Sequence, residues 1–253
     1  MQQSSQYRRG FTIIEVVLFL AITGLMLAGI LASVGAGVNG KRYTEAVDSF
    51  QDFLISQFDQ TDNVANTANA DSPTVQCRLD TSSKPVGTTD CSVVGRLVTS
   101  SDGKIVQATP LYAGADVTDP NFSELEKPAD LLTALELYTV SGNPDSESYD
   151  MRWETSLRSE NGSSAQPFTI MIVRLPYAKG SISYISEQAI NSDAPGKIGE
   201  FISQVTNSSV AKKQLALCVD PNGLQFASPV GIVVENAGSG GASSIQRKGS
   251  LCQ

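Results

Sequence analysis

The hydrophobic pattern divides the chain into a long apolar run, a one-sided amphipathic stretch and a region of short segments. Residues 16–36 carry no charge. At about 1.5 Å per residue, a helix of that length spans roughly 31 Å, close to the thickness of a bilayer core. The run therefore predicts a membrane-spanning helix near the N-terminus.

Beyond Gly40 the apolar residues keep a helical spacing but occupy a single face. They recur every three or four residues and comprise Tyr43, Val47, Phe50, Leu54 and Phe58. A stripe of this kind is typical of a helix that packs on a globular domain through one side. We therefore expect one helix over about residues 11–66, with residues 11–38 as its transmembrane half and the remainder attached to a head.

Residues 67–253 predict a globular, β-rich head, because short β-prone segments alternate there with turn residues. Asp102 and Gly103 lie between two β-prone arms and predict a hairpin over residues 93–112. The other segments expected to form strands are residues 151–159, 167–177, 179–186, 214–228 with a turn at 221–223, and 230–238. These segments predict an α+β fold in which an antiparallel sheet lies on the long helix.

For two segments of the head the sequence does not decide the structure. Residues 128–140 fit either a short helix begun by Pro128 or a segment that ends as a strand at residues 138–140. The tail from residue 238 is rich in glycine and serine. A disulfide at Cys252 would hold this tail against the head.

The chain contains no histidine, which removes the usual general base of Ser-His-Asp and Cys-His enzymes and a common zinc ligand. No G-x-S-x-G motif is present, so an exported hydrolase is poorly supported. The acidic residues between Asp116 and Asp130 lack the order of an EF-hand loop, and solvated loop charge is favoured over a calcium site. We therefore expect a protein that is not an enzyme and holds no metal or cofactor.

The net charge of −8 argues against a general nucleic-acid surface, which needs clustered lysines and arginines. Arg8 and Arg9 precede Gly10, so the rest of the chain is still more acidic. The short basic pairs at residues 212–213 and 247–248 have no interleaved aromatic residues on which bases could stack. Nucleic acid is therefore not expected as a partner.

Four cysteines follow the membrane segment: Cys77, Cys91, Cys218 and Cys252. None has the C-x-x-C spacing of structural zinc sites, and an exported domain favours disulfides. Three pairings are possible, of which the simplest is local, Cys77 with Cys91 and Cys218 with Cys252. Four reduced cysteines in the core are the alternative.

The start of the chain joins a basic pair, a glycine and the apolar run, near the beginning of which stands one carboxylate, Glu15. A secretory signal peptide cleaved near Ala36 is one explanation, but the run exceeds the usual signal length and a carboxylate would hinder it. A plain signal anchor explains the length and gives Glu15 no role. A charge within a membrane span is by default a functional hypothesis.

Gly10, Phe11 and Glu15, the fifth residue after the glycine, resemble the prepilin signature of type IV pilins and of the pseudopilins of secretion and competence systems. The resemblance implies that a membrane-embedded prepilin peptidase cuts after Gly10, removes residues 1–10 as a leader and methylates the new amine of Phe11. It also implies a pilin-like fold. Other pilin subunits and an inner-membrane assembly platform are the implied partners.

The resemblance gives Glu15 a role in subunit assembly. Cleavage turns Phe11 into a cationic amine, which can meet the Glu15 carboxylate of a neighbouring subunit. At about 4 Å and an effective dielectric near 20, the two charges attract by up to about 4 kcal/mol, whereas an unpaired buried charge is costly. The hypothesis is that this pair favours the correct axial register.

The function expected from the resemblance is that of a structural subunit of a type IV pilus or related filament, serving adhesion, twitching motility, DNA uptake or secretion. Before assembly it would cross the inner membrane once, in contact with lipid, with its head outside the cytoplasm. The size of the head favours a minor pilin. A pseudopilin of a type II secretion system and a membrane-anchored adhesin or receptor that never polymerises are the alternatives.

Overall fold

In a computed structural model the chain forms a long N-terminal helix and a head containing two antiparallel sheets. The structure describes residues 12–63, 93–114, 125, 127–140, 142–160, 162, 164–175, 180–191, 196–206, 212–224, 228–235, 245–249 and 251–252. The helices are α1 (Ile13–Asp62), α2 (Pro128–Ala134) and α3 (Lys197–Thr206). The strands are β1 (Val93–Ser100), β2 (Ile105–Tyr112), β3 (Glu147–Asp150), β4 (Ser156–Arg158), β5 (Phe168–Val173), β6 (Ile182–Ser186), β7 (Gln214–Asp220), β8 (Val230–Glu235) and β9 (Ile245–Lys248).

Helix α1 runs without interruption for 50 residues, and its second half packs on the head. All members of the predicted stripe are no more than 5% exposed: Tyr43, Val47, Phe50, Leu54 and Phe58. They share one hydrophobic core with side chains of both sheets, among them Ile170 of β5 and Leu217 of β7. The prediction of an α+β fold with a helix attached through one side is confirmed.

Five strands form the first sheet in the order β3-β2-β1-β5-β6, with every neighbouring pair antiparallel. The β1–β2 hairpin and the β5–β6 pair occur as predicted. In the hairpin turn, the carboxylate of Asp102 accepts hydrogen bonds from the backbone N–H groups of Lys104 at 2.8 Å and Ile105 at 3.0 Å. Gly103 has a φ of +67°, a backbone conformation that favours glycine.

Both faces of the first sheet are covered, and all six residues of its strand β5 are buried. Ile170 and Ile172 face α1, whereas Met171 and Val173 face the core that contains α2 and α3. Helix α3 was not predicted from the sequence, and it buries the side chains of Ile198, Phe201, Ile202 and Val205. The first sheet is therefore a middle layer between α1 and the two shorter helices.

Residues 128–140 contain the helix that the sequence left open and, in place of a strand at residues 138–140, a single bridge. Helix α2 begins with Pro128 in its first turn and buries Leu131 and Leu132. Beyond the helix, Tyr138 forms an isolated antiparallel bridge with Tyr112, and the two rings lie 5.8 Å apart.

The second sheet, in the order β4-β7-β8-β9, also packs on α1 and differs from the prediction in three places. Residues 152–154 form a 3-10 turn, so only residues 156–158 of the expected strand 151–159 are extended in the sheet. The partner of β7 is β8 and not the segment directly after the turn, in which Leu224 and Ser228 lie outside the strands and residues 225–227 are not among the described residues. The glycine- and serine-rich tail contains a strand, β9, which pairs with β8.

A disulfide joins Cys218 to Cys252, with Cα atoms 5.8 Å apart. In the register of the sheet Cys218 lies opposite Gly231 of β8, and Gly231 lies opposite Lys248 of β9, so the bond reaches across β8. Gly231 leaves the space for it, since a Cβ there would lie 3.3 Å from the Cys252 sulfur. This bond is one of the two local pairs expected from the sequence.

Cys77 and Cys91 lie outside the described residues. Their pairing stays a prediction.

Gly95 lies at a bulge in β1, where the backbones of β1 and β5 come close together. A Cβ there would lie 2.2 Å from the carbonyl oxygen of Ile172. We expect Gly95→Ala to lower the free energy of unfolding by about 1–3 kcal/mol through overpacking, measured by chemical denaturation. Gly199→Ala in α3, where a Cβ meets nothing within 4 Å, is the control and should not destabilise. Equal unfolding midpoints for the two variants would contradict this account of Gly95.

Candidate functional site

Within the part of the chain that the structure describes, no side chain of the head packs around the apolar residues of the N-terminal half of α1. From Ile13 to Val38 every large apolar side chain is exposed, with fractions from 41% at Val38 to 83% at Ile13. The hydroxyl of Thr23 donates to the carbonyl of Phe19 at 2.8 Å, so this polar group is satisfied within the helix. By length and composition the helix is able to cross a membrane. An apolar surface of this size requires lipid or other helices as its surroundings.

Glu15 lies in the first turn of α1 and forms a capping box with Thr12. The Thr12 hydroxyl accepts the backbone N–H of Glu15 at 3.3 Å, and the Glu15 carboxylate accepts the backbone N–H of Thr12 at 3.0 Å. The box satisfies backbone donors at the helix start and holds a negative charge at the positive end of the helix dipole. Thr12 was not predicted from the sequence, although the Thr-x-x-Glu spacing is its signal.

The capping box gives Glu15 a partner within its own chain. Both members of the box are exposed at the end of the helix, so the carboxylate is accessible to a cation on a second molecule. Gly10 and Phe11 lie outside the described residues. Cleavage after Gly10, methylation of Phe11 and the assembly role of Glu15 therefore stay predictions.

Tyr43 attaches α1 to the head just beyond the exposed half of the helix. Its buried hydroxyl donates to the carbonyl of Val219 at 2.7 Å and accepts the N–H of Val230 at 2.8 Å. The side chain thus joins the end of β7 and the start of β8 to the helix. Burial raises the pKa of Tyr43 to about 12, because a phenolate would lose its solvation there.

We expect Tyr43→Phe to lower the free energy of unfolding by about 1–3 kcal/mol at neutral pH, because the Val219 carbonyl and the Val230 N–H lose their partner. The folded pKa of Tyr43 lies above its ordinary value of 10.0, so its contribution is complete below about pH 10 and is lost as the pH rises toward 12. Thermal unfolding of the parent and the variant across this range measures both effects.

The difference in stability between the parent and Tyr43→Phe should therefore shrink above pH 10 and remain constant below it. Burial also raises the pKa of Tyr112, Tyr149 and Tyr184, so Tyr43→Phe should still lose some of its folding stability at alkaline pH. Parallel pH profiles for the two proteins up to pH 12 would contradict the role assigned to the Tyr43 hydroxyl.

A buried arginine attaches the far end of α1 to the head. Arg96 of β1 donates to the carbonyl of Asp145 at 3.0 Å, forms a salt bridge with Glu147 at 3.3 Å and contacts Gln60 of α1. Glu147 also accepts a hydrogen bond from Gln57 of α1 at 2.9 Å. Burial lowers the pKa of the Arg96 guanidinium, and the carboxylate of Glu147 opposes this shift. The cluster borders an open cleft of about 470 Å³.

The described residues contain no group of three or more cysteine, aspartate or glutamate side chains placed to hold a metal ion. Most of the acidic stretch considered for calcium lies outside them, including Asp116, Asp119, Glu124 and Glu126. The interpretation of that stretch as solvated loop charge stays a prediction.

The fold and the exposed helix define an α+β protein with an N-terminal helix suited to anchoring in a membrane. Residues 5–31 match the family described as the prokaryotic N-terminal methylation motif. The matched segment contains Gly10, Phe11 and Glu15 and ends within the exposed half of α1. The chain therefore carries the prepilin-type signature of type IV pilins and pseudopilins, and its fold is consistent with a pilin-like architecture. No curated protein and no solved structure matches the chain.

Proposed function

We propose that the protein is a structural subunit of a type IV pilus or a related pilus-like filament, and that it is not an enzyme. A prepilin peptidase removes residues 1–10 and methylates the amine of Phe11. Residues 11–66, which contain α1, are the assembly segment, and residues 67–253 are the head that lies on the filament surface. Before assembly the helix crosses the inner membrane with the head outside the cytoplasm, and an assembly platform delivers the subunit to the filament.

One observation carries the proposal: the methylation motif at residues 5–31 coincides with the start of a helix half that has no protein cover. Before assembly this surface can lie in lipid. After assembly it can lie against the apolar helix halves of neighbouring subunits, because both surroundings are apolar. The second half of the helix is already occupied by the head. A subunit can therefore exchange lipid for other subunits while its head stays folded.

The head determines which system the filament serves, because all of the candidate systems use the same kind of N-terminal helix. Adhesion, twitching motility, DNA uptake and secretion are the candidate roles, and a minor pilin is the subtype favoured by the size of the head. A pseudopilin of a type II secretion system uses the same helix and is separated from a pilus subunit only by the secretion machinery that requires it.

The processing step is tested by mass spectrometry and N-terminal sequencing of the native protein from membranes. We expect the chain to begin at Phe11 with a methylated amine. A chain that begins near Gly37 would identify a cleaved signal peptide, and a chain that keeps residues 1–10 would identify an unprocessed anchor. Either result would contradict the proposal.

Polymerisation is tested on the same cells by detaching surface filaments and assaying the protein in the filament and membrane fractions. We expect the processed chain in both fractions. Its restriction to the membrane, with correct processing and with filaments present, would favour the adhesin or receptor that never polymerises.

A further inference from the structure

Trp153 is held in a strained turn at one end of the head. It has φ and ψ of +55° and +38°, and Glu154 follows with a φ of +60°. Left-handed backbone is unfavourable for a bulky side chain, and such strain persists only where surrounding contacts impose it. Here Asn222 donates to the Glu154 carbonyl at 3.0 Å, and the Thr155 hydroxyl donates to the Arg152 carbonyl at 2.7 Å.

The strained turn directs the Trp153 ring toward α1 instead of into the core. The Arg42 guanidinium lies over the ring, 4.7 Å from its centre, and Trp153 as a whole residue remains 42% exposed. A stacked arginine and an exposed indole together form an amphipathic surface, apolar across the ring and cationic at its edge. This surface is not part of either hydrophobic core that contains α1 or the shorter helices.

The position of the pair along α1 places it next to the exposed apolar surface. Val38 is the last residue of that surface, and Arg42 follows four residues later, roughly 6 Å along the helix axis. A bilayer of about 40–45 Å with a core of about 30 Å has a headgroup layer of about 5–8 Å on each side. When Val38 lies at the edge of the bilayer core, Arg42 and the Trp153 ring beneath it therefore lie at headgroup height.

The charges around the pair agree with this position. Lys41 and Arg42 are exposed there. The third nearby cation, Arg152, is paired with Glu45 at 3.1 Å. Glu154 adds an opposing carboxylate, so lipid headgroups would contact this surface through the indole ring and the exposed side chains of Lys41 and Arg42 more than through its net charge. Tryptophan favours membrane interfaces because it has an apolar body and one polar N–H.

We propose that Trp153, with Arg42 and Lys41, is an interfacial anchor that rests the head on the lipid headgroups before assembly. The partner is the bilayer that surrounds the subunit's own helix. The anchor fixes the height and tilt of the head above that bilayer, and it is released when the subunit leaves the membrane. This inference rests on the membrane insertion of the helix in the proposed function.

Trp153 is the sole tryptophan of the chain, so intrinsic fluorescence reports on this site alone. The full-length chain is reconstituted into vesicles of phosphatidylethanolamine and phosphatidylglycerol that carry a spin label either on the headgroup or deep in the acyl chain. We expect a blue-shifted emission relative to the chain in urea, strong quenching by the headgroup label and weak quenching by the deep label. Flotation of the same vesicles measures insertion.

Three variants make the measurement specific. Arg42→Gln should reduce headgroup quenching, whereas Arg247→Gln should not, because Arg247 contacts α1 at Asp48, further from the apolar surface. The turn that holds Trp153 lies next to the C-terminal end of β7, where Asn222 contacts Glu154. In the double variant Trp153→Phe/Gln214→Trp the indole stands at the N-terminal end of β7, roughly 20 Å away at about 3.3 Å per residue, and headgroup quenching should disappear.

The outcomes separate this inference from the proposed function. A chain that floats with the vesicles while Trp153 stays unquenched by the headgroup label would overturn the anchor alone. A chain that does not float would overturn both the anchor and the membrane insertion. The measurement is repeated at several protein-to-lipid ratios. If headgroup quenching occurs only at high ratios, or if Trp153 becomes less accessible to the label as the ratio rises, the surface binds a second copy of the chain and the anchor is overturned.

Discussion

Glu15→Gln should reach the membrane in normal amounts, be processed normally and fail to assemble into filaments. The substitution removes the charge while keeping an amide oxygen that can accept the Thr12 N–H, since glutamine also serves at this position of a capping box. The lost attraction to a neighbour's amine is up to about 4 kcal/mol, close to a thousandfold in an association constant. Immunoblots of detached filaments and of membranes, normalised to each other, measure the effect.

Thr12→Ala is the matched control, because it removes the cap and keeps the carboxylate. Its expected cost is about 1 kcal/mol of local helix stability, and filaments should still form. Loss of filaments in Thr12→Ala but not in Glu15→Gln would show that the helix cap, and not the charge, is what assembly requires. Normal filaments from Glu15→Gln would refute the intermolecular pair.

Replacing both Cys218 and Cys252 by serine should destabilise the second sheet strongly. The bond closes a loop with a sequence separation of 34, for which chain entropy predicts a contribution of about 3–4 kcal/mol. The double variant is preferable to a reducing agent, since a reductant would also cleave the predicted bond between Cys77 and Cys91. Chemical denaturation of the full-length chain in detergent measures the loss.

Hydrogen exchange shows where that stability is lost. Without the bond, β9 keeps its pairing with β8 at one edge of the second sheet, the buried side chain of Ile245 and the ion pair of Arg247 with Asp48. Because this short edge strand lies next to the lost bond, its amides should lose protection first. The amides of β1 and β5, in the other sheet, should keep most of theirs. A uniform loss across both sheets would indicate that the disulfide supports the whole head and not mainly its C-terminal edge.

Much of the arrangement around α1 could be predicted because periodicity reports directly on burial. The stripe from Tyr43 to Phe58 has only one face to bury, and the structure buries it. The β1–β2 hairpin was equally accessible, since Asp102 and Gly103 determine the turn locally through side-chain hydrogen bonds and a positive φ. In both cases the information lies in residues close together in sequence.

The features that were missed fall into two kinds. For α3, Ile198, Phe201, Ile202 and Val205 have clear helical spacing, and Thr12 has the spacing of a capping box, so these signals were present and overlooked. Strand β9 is different, because Ile245–Lys248 is a short polar segment that becomes a strand through its pairing with β8 and the Cys218–Cys252 bond. Such a strand depends on tertiary contacts that no local pattern records.

Two attachments of the head to α1, one near each end of the packed half, bear on how the molecule carries a mechanical load. Tyr43 and Gln60, which contacts Arg96, are roughly 26 Å apart along the helix axis, with the apolar stripe between them. Tension applied along α1 loads both attachments and the stripe in shear at the same moment. Contacts loaded in parallel share the force, whereas contacts loaded in series fail one after another. A head held in this way stays on its helix while the exposed half is pulled.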